Sequence, residues 1–352
     1  MASIELDVAA YEKWLRKQCD VVESDLDAKH RRMRKSTFDF LRATYFRWAR
    51  TIEALCPALT AAPQVLCIGD IHVENYGTWR DADGRLVWGI NDFDEATVMP
   101  YAFDLVRLTT SAILAPDFEL PVAKAASAVL EGYRAGLANP RAVLLDQEPG
   151  SLRSYANPTT DSNRDFWQEL DDYPVAKPPA KVKGALLNAL PEGAVLERFA
   201  SRRKGGGGLG RPRFIAIASW NSGRVAREAK ALVPSAWDWA HKATGRSRFL
   251  DVAFGPFRSP DPHLRRQAGF VLRRIAPDSR KINIADAQLS GLSEDLLRAM
   301  ASDLASVHAA SARGRRIPAD LDARPRHWLP ESAETARTAT EQDFASYPTS
   351  KA

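Results

Sequence analysis

The segment Gly69-Asp-Ile-His-Val-Glu-Asn75 holds an acid and an amide at a spacing that phosphoryl-transfer enzymes use. Asp70 and Asn75 reproduce the D-x-x-x-x-N interval, in which the acid accepts a hydroxyl proton and the amide reaches a magnesium ion. Asp92 would supply the second magnesium ligand, and Asp94 could bind a second metal ion. Two protein ligands are enough, because Mg²⁺ takes most of its ligands from phosphates and water. The segment therefore predicts the catalytic loop of a phosphotransferase.

Two short runs of β-forming residues follow this loop, from Tyr76 to Trp79 and from Leu86 to Ile90. The turn residues Asp81-Ala-Asp-Gly84 join them, so we predict a β-hairpin. A hairpin returns the chain to its starting point and would place Asp92 beside Asn75. An ordinary acidic surface turn is the alternative, because Asp and Asn are common in loops. Apolar pairs flank these acids and favour strand ends beside a core. The pairs are Val65-Leu66 and Val87-Trp88.

A second interpretation of the loop involves His72. Gly69-Asp-Ile-His72 is also typical of the first metal-binding strand of a metallophosphoesterase, in which an Asp and a His hold a two-metal centre. That chemistry needs further histidine ligands, and the remaining histidines lack a Gly-Asn-His or His-x-His context. They are His30, His241, His263, His308 and His327. We therefore place His72 in the catalytic loop with Asp70, as a hydrogen bonder that stabilises the loop.

A glycine-rich segment could hold the nucleotide that a phosphotransferase needs. Its glycines fit G-x-G-x-x-G, and glycine lets backbone N–H groups approach phosphate oxygens without interference from a Cβ atom. They are Gly205, Gly206, Gly207, Gly208 and Gly210. An apolar run from Phe214 to Ala218 follows, and a second predicted strand from Arg224 ends at Lys230. Lys230 occupies the position of the kinase lysine that pairs with the phosphates.

Other interpretations of these glycines are a flexible linker, a Rossmann loop and a Walker A loop. Four consecutive glycines are compatible with a linker. A Rossmann fingerprint is disfavoured because a strand follows the glycines where a helix is required. A Walker A loop is disfavoured because no Gly-Lys-Ser/Thr follows.

The order of these parts is the reverse of that in an ordinary kinase, in which the glycine loop and lysine come first. A circular permutation would preserve every contact while moving the chain ends, and such rearrangements are tolerated at surface loops. The segment from Leu297 to His308 favours permutation. It has apolar residues at helical spacing and resembles the helix that precedes the catalytic loop in small-molecule kinases, yet it follows Lys230.

With these motifs, the chain resembles a bacterial family of permuted kinase-like proteins, domain of unknown function 2252. The resemblance extends from about residue 30 to about residue 345, with the motifs in the same order. The matching segments are Ser36-Thr-Phe-Asp-Phe-Leu-Arg42, Gly69 to Asn75, Asn91 to Glu95, Gly207 to Arg213, Arg227 to Lys230 and Phe270 to Arg273. The catalytic part is also similar to aminoglycoside phosphotransferases. The residues that correspond to their G-D-x-H-x-x-N motif and later Asp are Gly69, Asp70, His72, Asn75 and Asp92.

The resemblance implies an α+β, protein-kinase-like, two-lobed fold that is circularly permuted, with the helical catalytic lobe first and the glycine-loop β lobe later. It also implies that Asp104 is a structural acid that ties down the catalytic loop. One feature departs from the kinase pattern, in which a helix glutamate holds the lysine. The segment after Lys230 offers only Asp238, and Glu228 is too close in sequence for that role. The acidic partner of Lys230 therefore stays open.

Four regions are predicted along the chain. They are a helical catalytic lobe with the loop and hairpin (1–176), an inter-lobe linker (177–194), a nucleotide-binding β lobe (195–288) and C-terminal helices that complete the catalytic lobe (289–352). A stripe of apolar residues at helical spacing is expected to face the protein core from one helix. Its members are Phe38, Leu41, Tyr45 and Trp48. The stretch 145–172 is polar and turn-rich.

Composition narrows the class of protein. The 352 residues are 45% hydrophobic, enough to fill large cores. No apolar run reaches the roughly 18 residues of a membrane span, and the N-terminus lacks a secretory pattern, so we expect a cytoplasmic protein without a membrane partner. Cys19, Cys56 and Cys67 fit a reducing compartment and packing roles. The net charge of +5 is modest for nucleic-acid binding and favours a positive cleft for ATP or a phosphorylated substrate.

The sequence thus predicts an ATP- and magnesium-dependent phosphotransferase that acts on a hydroxyl group of a small molecule. Asp70 would orient or deprotonate the acceptor, Asn75 and Asp92 would hold magnesium, and Lys230 with the glycine backbone would bind the phosphates. The alternatives are a metallophosphoesterase-like hydrolase, a nucleotide-binding pseudokinase and an AMP-transferring enzyme. The identity of the acceptor and the oligomeric state stay open.

Overall fold

The structure is a computed structural model that describes residues 3–117, 119–145, 147, 152, 160–203, 205–279 and 292–348. It is a mixed α+β architecture in which, along the sequence, helical segments precede and follow a strand-rich segment. The helices are α1 (Ile4–Gln18), α2 (Glu23–Met33), α3 (Thr37–Ala43), α4 (Tyr45–Leu55), α5 (Tyr101–Ile113), α6 (Val122–Ala138), α7 (Thr160–Asp172), α8 (Ala180–Leu187), α9 (Ala236–Ala240), α10 (Phe249–Ala253), α11 (Glu294–Ala309), α12 (Ile317–Ala323) and α13 (Trp328–Ser346). The strands are β1 (Gln64–Cys67), β2 (Tyr76–Arg80), β3 (Leu86–Ile90), β4 (Thr97–Pro100), β5 (Val143–Leu144), β6 (Val195–Ser201), β7 (Arg213–Trp220), β8 (Gly223–Ala231), β9 (Arg265–Gln267) and β10 (Phe270–Ile275).

The largest sheet contains five antiparallel strands in the order β6-β7-β8-β10-β9. Successive side chains of a strand point to opposite faces, so each face of this sheet carries its own apolar cluster. Helix α7 packs Leu170 near Ile215 and Ile217 on one face. Helix α8 packs Leu186 near Ala229 on the other. Each face is therefore covered in part by one helix from the preceding segment of chain.

Two smaller antiparallel sheets position the predicted catalytic loop. Strand β1 pairs with β4, and strand β2 pairs with β3 and places Tyr76 opposite Ile90. The β1–β2 connection and the β3–β4 connection therefore lie next to each other, because they join neighbouring strand ends. The backbone N–H of Asn91 donates to the carbonyl oxygen of Asn75 at 3.1 Å, which joins the two connections directly.

The main hydrophobic core lies among the helices and includes strands β1 and β4. Helix α6 packs along α11, and α13 packs along α5, so helices from the two ends of the chain share this core. Tyr11, Phe38 and Trp48 are buried there. Within the described ranges, the helices lack the length and apolar character needed to cross a bilayer.

Most predicted elements are confirmed. The hairpin consists of β2 and β3, the strands around the glycine-rich segment are β7 and β8, and the segment from Leu297 to His308 lies in α11. The aromatic stripe from Phe38 to Trp48 spans two helices, which corrects the prediction of one. The backbone of Thr44 (φ −119°, ψ 35°) interrupts the helix between α3 and α4.

Two predicted connecting stretches contain helices. Residues 145–172 were expected to be turn-rich, but helix α7 occupies the described end of that stretch and packs on the sheet. The predicted linker 177–194 contains α8, which also packs on the sheet. Helix α7 has few apolar residues in sequence and α8 is short, and the apolar surface of the sheet provides the packing partner of both. Residues 280–288 of the predicted β region lie outside the described residues.

Candidate active site

A buried acid on helix α5 fixes the loop after β1. Asp104 accepts hydrogen bonds from the backbone N–H groups of Ile68 (2.7 Å) and Gly69 (3.0 Å). His308 Nε2 lies 3.1 Å from Asp104 Oδ2. Gly69 has a φ of +77°, and a Cβ atom on it would lie 2.5 Å from the carbonyl oxygen of Glu95. The turn therefore requires glycine, and Asp104 ties the loop down as the resemblance implied.

Asp70 lies in this loop against a fully buried arginine on α5. Arg107 Nη2 donates to Asp70 Oδ1 at 2.5 Å and to the carbonyl oxygen of Leu41 at 2.9 Å. Burial raises the pKa of Asp70 to about 6, and the Arg107 guanidinium opposes this rise. A carboxylate with a pKa near the working pH can accept a proton during a reaction and release it afterwards. Asp70 therefore has the environment of a general base.

The side-chain amide of Asn75 is oriented by two carbonyl oxygens. Its Nδ2 donates to the carbonyl oxygens of Asp70 (3.0 Å) and Asp92 (3.3 Å). The buried Oδ1 atom accepts no hydrogen bond from the described part of the chain. The carboxylate of Asp92 lines the same cleft. A buried amide oxygen without a donor and a carboxylate beside it are the hard oxygen ligands that Mg²⁺ prefers, so the donor set fits that ion.

Lys230 lies beside the acids of the hairpin. Its Nζ is 3.3 Å from Asp92 Oδ1 and also forms an ion pair with Asp94. Both Lys230 and Arg211 contact Asp94 through its Oδ2 atom, which lies 3.3 Å from Arg211 Nη1. Arg211 also pairs with Glu95. The acidic partners of Lys230 are therefore Asp92 and Asp94, more than a hundred residues earlier in the chain. Asp94, which was predicted to bind a second metal ion, is neutralised by two cations, and a metal ion would have to displace them.

The glycine loop passes between Asp70 and Lys230. A Cβ atom on Gly207 would lie 2.9 Å from Asp70 Oδ2, and one on Gly208 would lie 3.2 Å from Lys230 Cε. Gly205, Gly206, Gly207 and Gly208 all line the cleft. Gly210 contacts helix α2 instead, because a Cβ atom there would lie 2.5 Å from a methyl group of Leu26. The close approach of the backbone to two functional side chains explains why glycines are needed here.

Helix α2 and the residue before it hold the loop from the other side. Arg32 Nη1 donates to the carbonyl oxygen of Gly205 (3.0 Å), Lys29 Nζ donates to that of Gly207 (3.4 Å), and the N–H of Val22 donates to that of Gly210 (2.9 Å). Burial lowers the pKa of Lys29 to about 8. Among the described residues, the N–H groups of residues 206–208 donate no backbone–backbone hydrogen bond, and backbone N–H groups of such loops can bind anions.

One cleft of about 580 Å³ joins the loop after β1, the hairpin acids, Lys230 and the first four glycines of the glycine loop. The polar members of its wall include Asp70, His72, Asn75, Asp92 and Lys230, and the glycine loop crosses it. An apolar part of the wall is formed by Trp79, Phe249, Ala253 and Leu264. The volume lies within the roughly 300–1,000 Å³ of small-molecule sites.

His72 is buried in this wall, and its surroundings do not resemble a two-metal centre. Within the described ranges, Cys67, Asp104 and His308 form the one group of three His, Cys, Asp or Glu side chains close enough to share a metal ion. His308 also contacts Tyr133 Oη (2.8 Å), and Asp104 holds the loop after β1. Neither Asp70 nor His72 belongs to that group, so the geometry does not support the metallophosphoesterase interpretation.

Sequence reasoning missed several cations of the site. Arg107 pairs with Asp70, Arg211 pairs with Asp94 and Glu95, and Lys29 and Arg32 hold the glycine loop. These contacts join residues that are distant in the chain, so spacing carries no signal for them. The one available signal was the run of arginines around the glycines, of which Arg211 and Arg213 line the cleft.

Comparison with known proteins covers part of the chain. Searches of curated proteins and of solved structures returned no significant match. Residues 21–144 match the model of a family described as an uncharacterized protein conserved in bacteria (DUF2252). The matched range contains the loop with Asp70 and Asn75 and the hairpin acids, whereas the glycine loop and Lys230 lie beyond it. Over the segment that carries Asp70, Asn75 and Asp92, the match supports the DUF2252 family.

Proposed function

We propose that this protein is an ATP- and magnesium-dependent phosphotransferase that transfers a phosphoryl group to a hydroxyl of a small molecule. One observation carries the proposal: the acids of the β1–β2 loop and hairpin share a single cleft with the glycine loop and Lys230. These segments are distant in the chain, and phosphoryl transfer is the chemistry that uses all of them at one place.

The nucleotide would lie under the glycine loop. The backbone N–H groups of the loop and the ammonium group of Lys230 would bind its phosphates, because both are donors and Gly208 lies close to Lys230 in the wall of the cleft. The apolar wall at Trp79, Phe249 and Leu264 offers a surface for the base. Asn75 and Asp92 would hold magnesium, which neutralises charge on the phosphates when it is bound.

Asp70 would act on the acceptor. Its carboxylate would accept the hydroxyl proton as the acceptor oxygen forms a bond to the γ-phosphorus, while the bond from that phosphorus to the β–γ bridging oxygen breaks and ADP leaves. Arg107 holds Oδ1, so Oδ2 is the oxygen next to the glycine loop. Positioning of the two reactants would supply most of the rate enhancement.

A circularly permuted, kinase-like, two-lobed fold is part of the proposal. Three features support it: the antiparallel sheet that carries the glycine loop and lysine, the helix α11 that follows them in sequence, and the anchoring of the catalytic loop by Asp104 and His308 of α11. A small acceptor is favoured over a protein substrate because the cleft volume of about 580 Å³ is that of a small-molecule site.

The first test is nucleotide binding in the presence of magnesium. Mg-ATP at ~100 times its Kd should stabilise the wild-type protein by about 2.7 kcal/mol and raise its melting temperature. Asp92→Ala should reduce this shift strongly, whereas Asp83→Ala, an exposed acid in the hairpin turn, should not. An absent shift in the wild type, or an equal shift in Asp92→Ala, would contradict the proposal.

The products distinguish the related chemistries. ATP labelled at the γ-phosphate should transfer its label to the acceptor, and ATP labelled at the α-phosphate should not. Transfer of the α-label would identify an AMP-transferring enzyme. Hydrolysis of p-nitrophenyl phosphate with manganese and without ATP would identify a metallophosphoesterase.

A further inference from the structure

A row of arginines covers the sheet face next to Lys230. Arg213 of β7 lies opposite Lys230, and Arg273 of β10 lies opposite Glu228 of β8. Cross-strand partners and alternate residues of one strand share a face, so these four side chains lie on the same face of the sheet. Arg202, directly after β6, adds a third guanidinium and donates to Glu228 Oε1 at 2.7 Å. All three arginines line the cleft.

One acid is shared among these three arginines. Glu228 is completely buried, and it accepts from Arg202 and from Arg273 Nε (2.6 Å). Arg213 Nη1 lies farther away, 3.7 Å from Glu228 Oε1. Three guanidinium groups against one carboxylate leave a net positive charge at a site with little exposure to water. Lys230 and its two partners, Asp92 and Asp94, add one cation and two carboxylates beside the row, which lowers the local positive charge without cancelling it.

Arg213 is the member of the row without a hydrogen bond. Its side chain is 9% exposed, and its guanidinium donates no hydrogen bond to any described residue. Burial lowers the pKa of Arg213, and Arg202 and Arg273 add to that effect. This guanidinium lines the cleft, so a ligand there could supply the acceptors that the described side chains do not.

The position of Arg213 indicates the kind of ligand. A Cβ atom on Gly208 would lie 3.7 Å from Arg213 Nη2 and 3.4 Å from Lys230 Nζ, so both cations lie beneath the same part of the glycine loop. The planar, forked guanidinium matches a phosphate group with two parallel hydrogen bonds, and the ammonium group matches it as a point charge.

We propose that Arg213, flanked by Arg202 and Arg273, forms a phosphate-binding subsite on the sheet face beside Lys230. The subsite deepens the phosphotransferase assignment, and its occupation by a nucleotide phosphate depends on that assignment. The same chemistry would recognise a phosphate group carried by the acceptor. Arg213 would therefore be retained mainly for binding, because its contact with an acid among the described residues is the 3.7 Å approach to Glu228 Oε1.

The experiment compares Arg213→Gln and Arg213→Lys with Arg266→Gln, an exposed arginine of β9 in the same sheet that controls for the lost charge. Isothermal titration measures the affinity of each protein for inorganic tripolyphosphate, for Mg-ATP and for glucose 6-phosphate. Melting temperatures are measured without ligand. Arg213→Lys keeps the charge and loses the fork, so it should bind with intermediate affinity.

We expect Arg213→Gln to weaken tripolyphosphate binding roughly 10- to 100-fold, as for the loss of a charge-assisted pair of hydrogen bonds. Its melting temperature without ligand should equal or exceed that of the wild type, because repulsion of Arg202 and Arg273 is relieved. An equal loss of Mg-ATP affinity assigns the phosphate to the nucleotide. A loss of affinity for glucose 6-phosphate with an unchanged affinity for Mg-ATP assigns the bound phosphate to the acceptor.

The subsite would be refuted if tripolyphosphate bound Arg213→Gln as tightly as the wild type, or bound neither protein. A melting temperature lowered in Arg213→Gln with unchanged affinities would identify a structural residue and would also refute it. Failure of the phosphotransferase assignment gives a different result: tripolyphosphate binds in an Arg213-dependent manner, while adenine nucleotides with magnesium do not bind.

Discussion

Two carboxyl groups near the cleft, the half-buried Asp70 in the loop after β1 and the fully buried Glu228 in the sheet, have pKa values shifted in opposite directions. Burial raises the pKa of both groups. For Asp70 this effect dominates, because within the described ranges one guanidinium, that of Arg107, donates to it, and the pKa rises to about 6. For Glu228, the guanidinium groups of Arg273, Arg213 and Arg202 together outweigh burial and hold the pKa well below its usual range.

The difference shows how the number of neighbouring arginines can suit one carboxyl group to proton transfer and another to a structural role. A carboxylate with one arginine can gain or lose a proton near neutral pH, which suits a group that handles protons. A carboxylate surrounded by three arginines stays ionised at every ordinary pH and serves to keep those cations in place. The number of guanidinium groups at each carboxylate, which the tertiary structure sets, decides between the two roles.

The largest expected effect is on turnover, and it comes from Asp70→Asn. The amide cannot accept a proton, so phosphoryl transfer should fall roughly 10²–10⁴-fold. Folding stability should change little, because the carboxyl group already tolerates the neutral state below pH of about 6. Turnover of Mg-ATP with an acceptor found by screening measures the first effect, and urea unfolding measures the second. Turnover within twofold of the wild type would remove Asp70 from the mechanism; Asp83→Asn is the matched control.

Glu228→Gln should affect stability instead. Loss of the carboxylate leaves three arginines without a counter-charge, and breaking such a buried network typically costs about 3–5 kcal/mol of unfolding free energy. Glu197→Gln, at an exposed position of β6 paired with Arg224, should cost about 0–1 kcal/mol. Urea unfolding at neutral pH measures both. Because the folded-state pKa is depressed, the stabilisation by Glu228 is present at neutral pH and is lost only as pH falls through that depressed value. A similar small cost for both variants would contradict the comparison.

The smallest expected effect is a shift in pH dependence on changing Arg107. Asp70 must be ionised to accept a proton, so turnover should rise with pH through about 6 in the wild type. Arg107 favours the ionised form, so Arg107→Met should move this acidic limb to higher pH by ~1–3 units, and Arg107→Lys should move it less. Arg134→Met, an exposed arginine paired with Asp322, should leave it in place. A carbon-13 carboxyl titration of Asp70 provides the same reading without an acceptor, and an unmoved pKa would show that Arg107 does not set it.

Much of the candidate site was predictable because its parts are local motifs. The spacing of Asp70 and Asn75 and the turn residues of the hairpin determine where these side chains leave their strands, and the hairpin places Asp92 beside Asn75. The anchoring role of Asp104 followed from the family resemblance and matches the observed hydrogen bonds to Ile68 and Gly69. Alternation within β8 likewise placed Lys230 and Glu228 on one face.

The rest depended on contacts that join distant segments. Helix α7 was missed because its sequence is polar and its apolar stripe becomes favourable only against Ile215 and Ile217 of the sheet. The pairing of Lys230 with Asp94 was missed because a kinase-like helix glutamate was expected as its partner. Nothing in the spacing of Lys29 or Arg32 indicates that they hold carbonyl oxygens of the glycine loop.

The amino-acid sequence by itself determined which functional groups are available. One short stretch holds an acid, an amide and the hairpin acids, and another holds a glycine loop with a lysine. Spacing along one strand or turn is a local property, so it can be recognised without knowledge of the fold. The tertiary structure alone decided that these stretches meet in one cleft, and how many arginines surround each carboxylate there. Burial and the proximity of charges set ionisation, and both depend on how the whole chain packs.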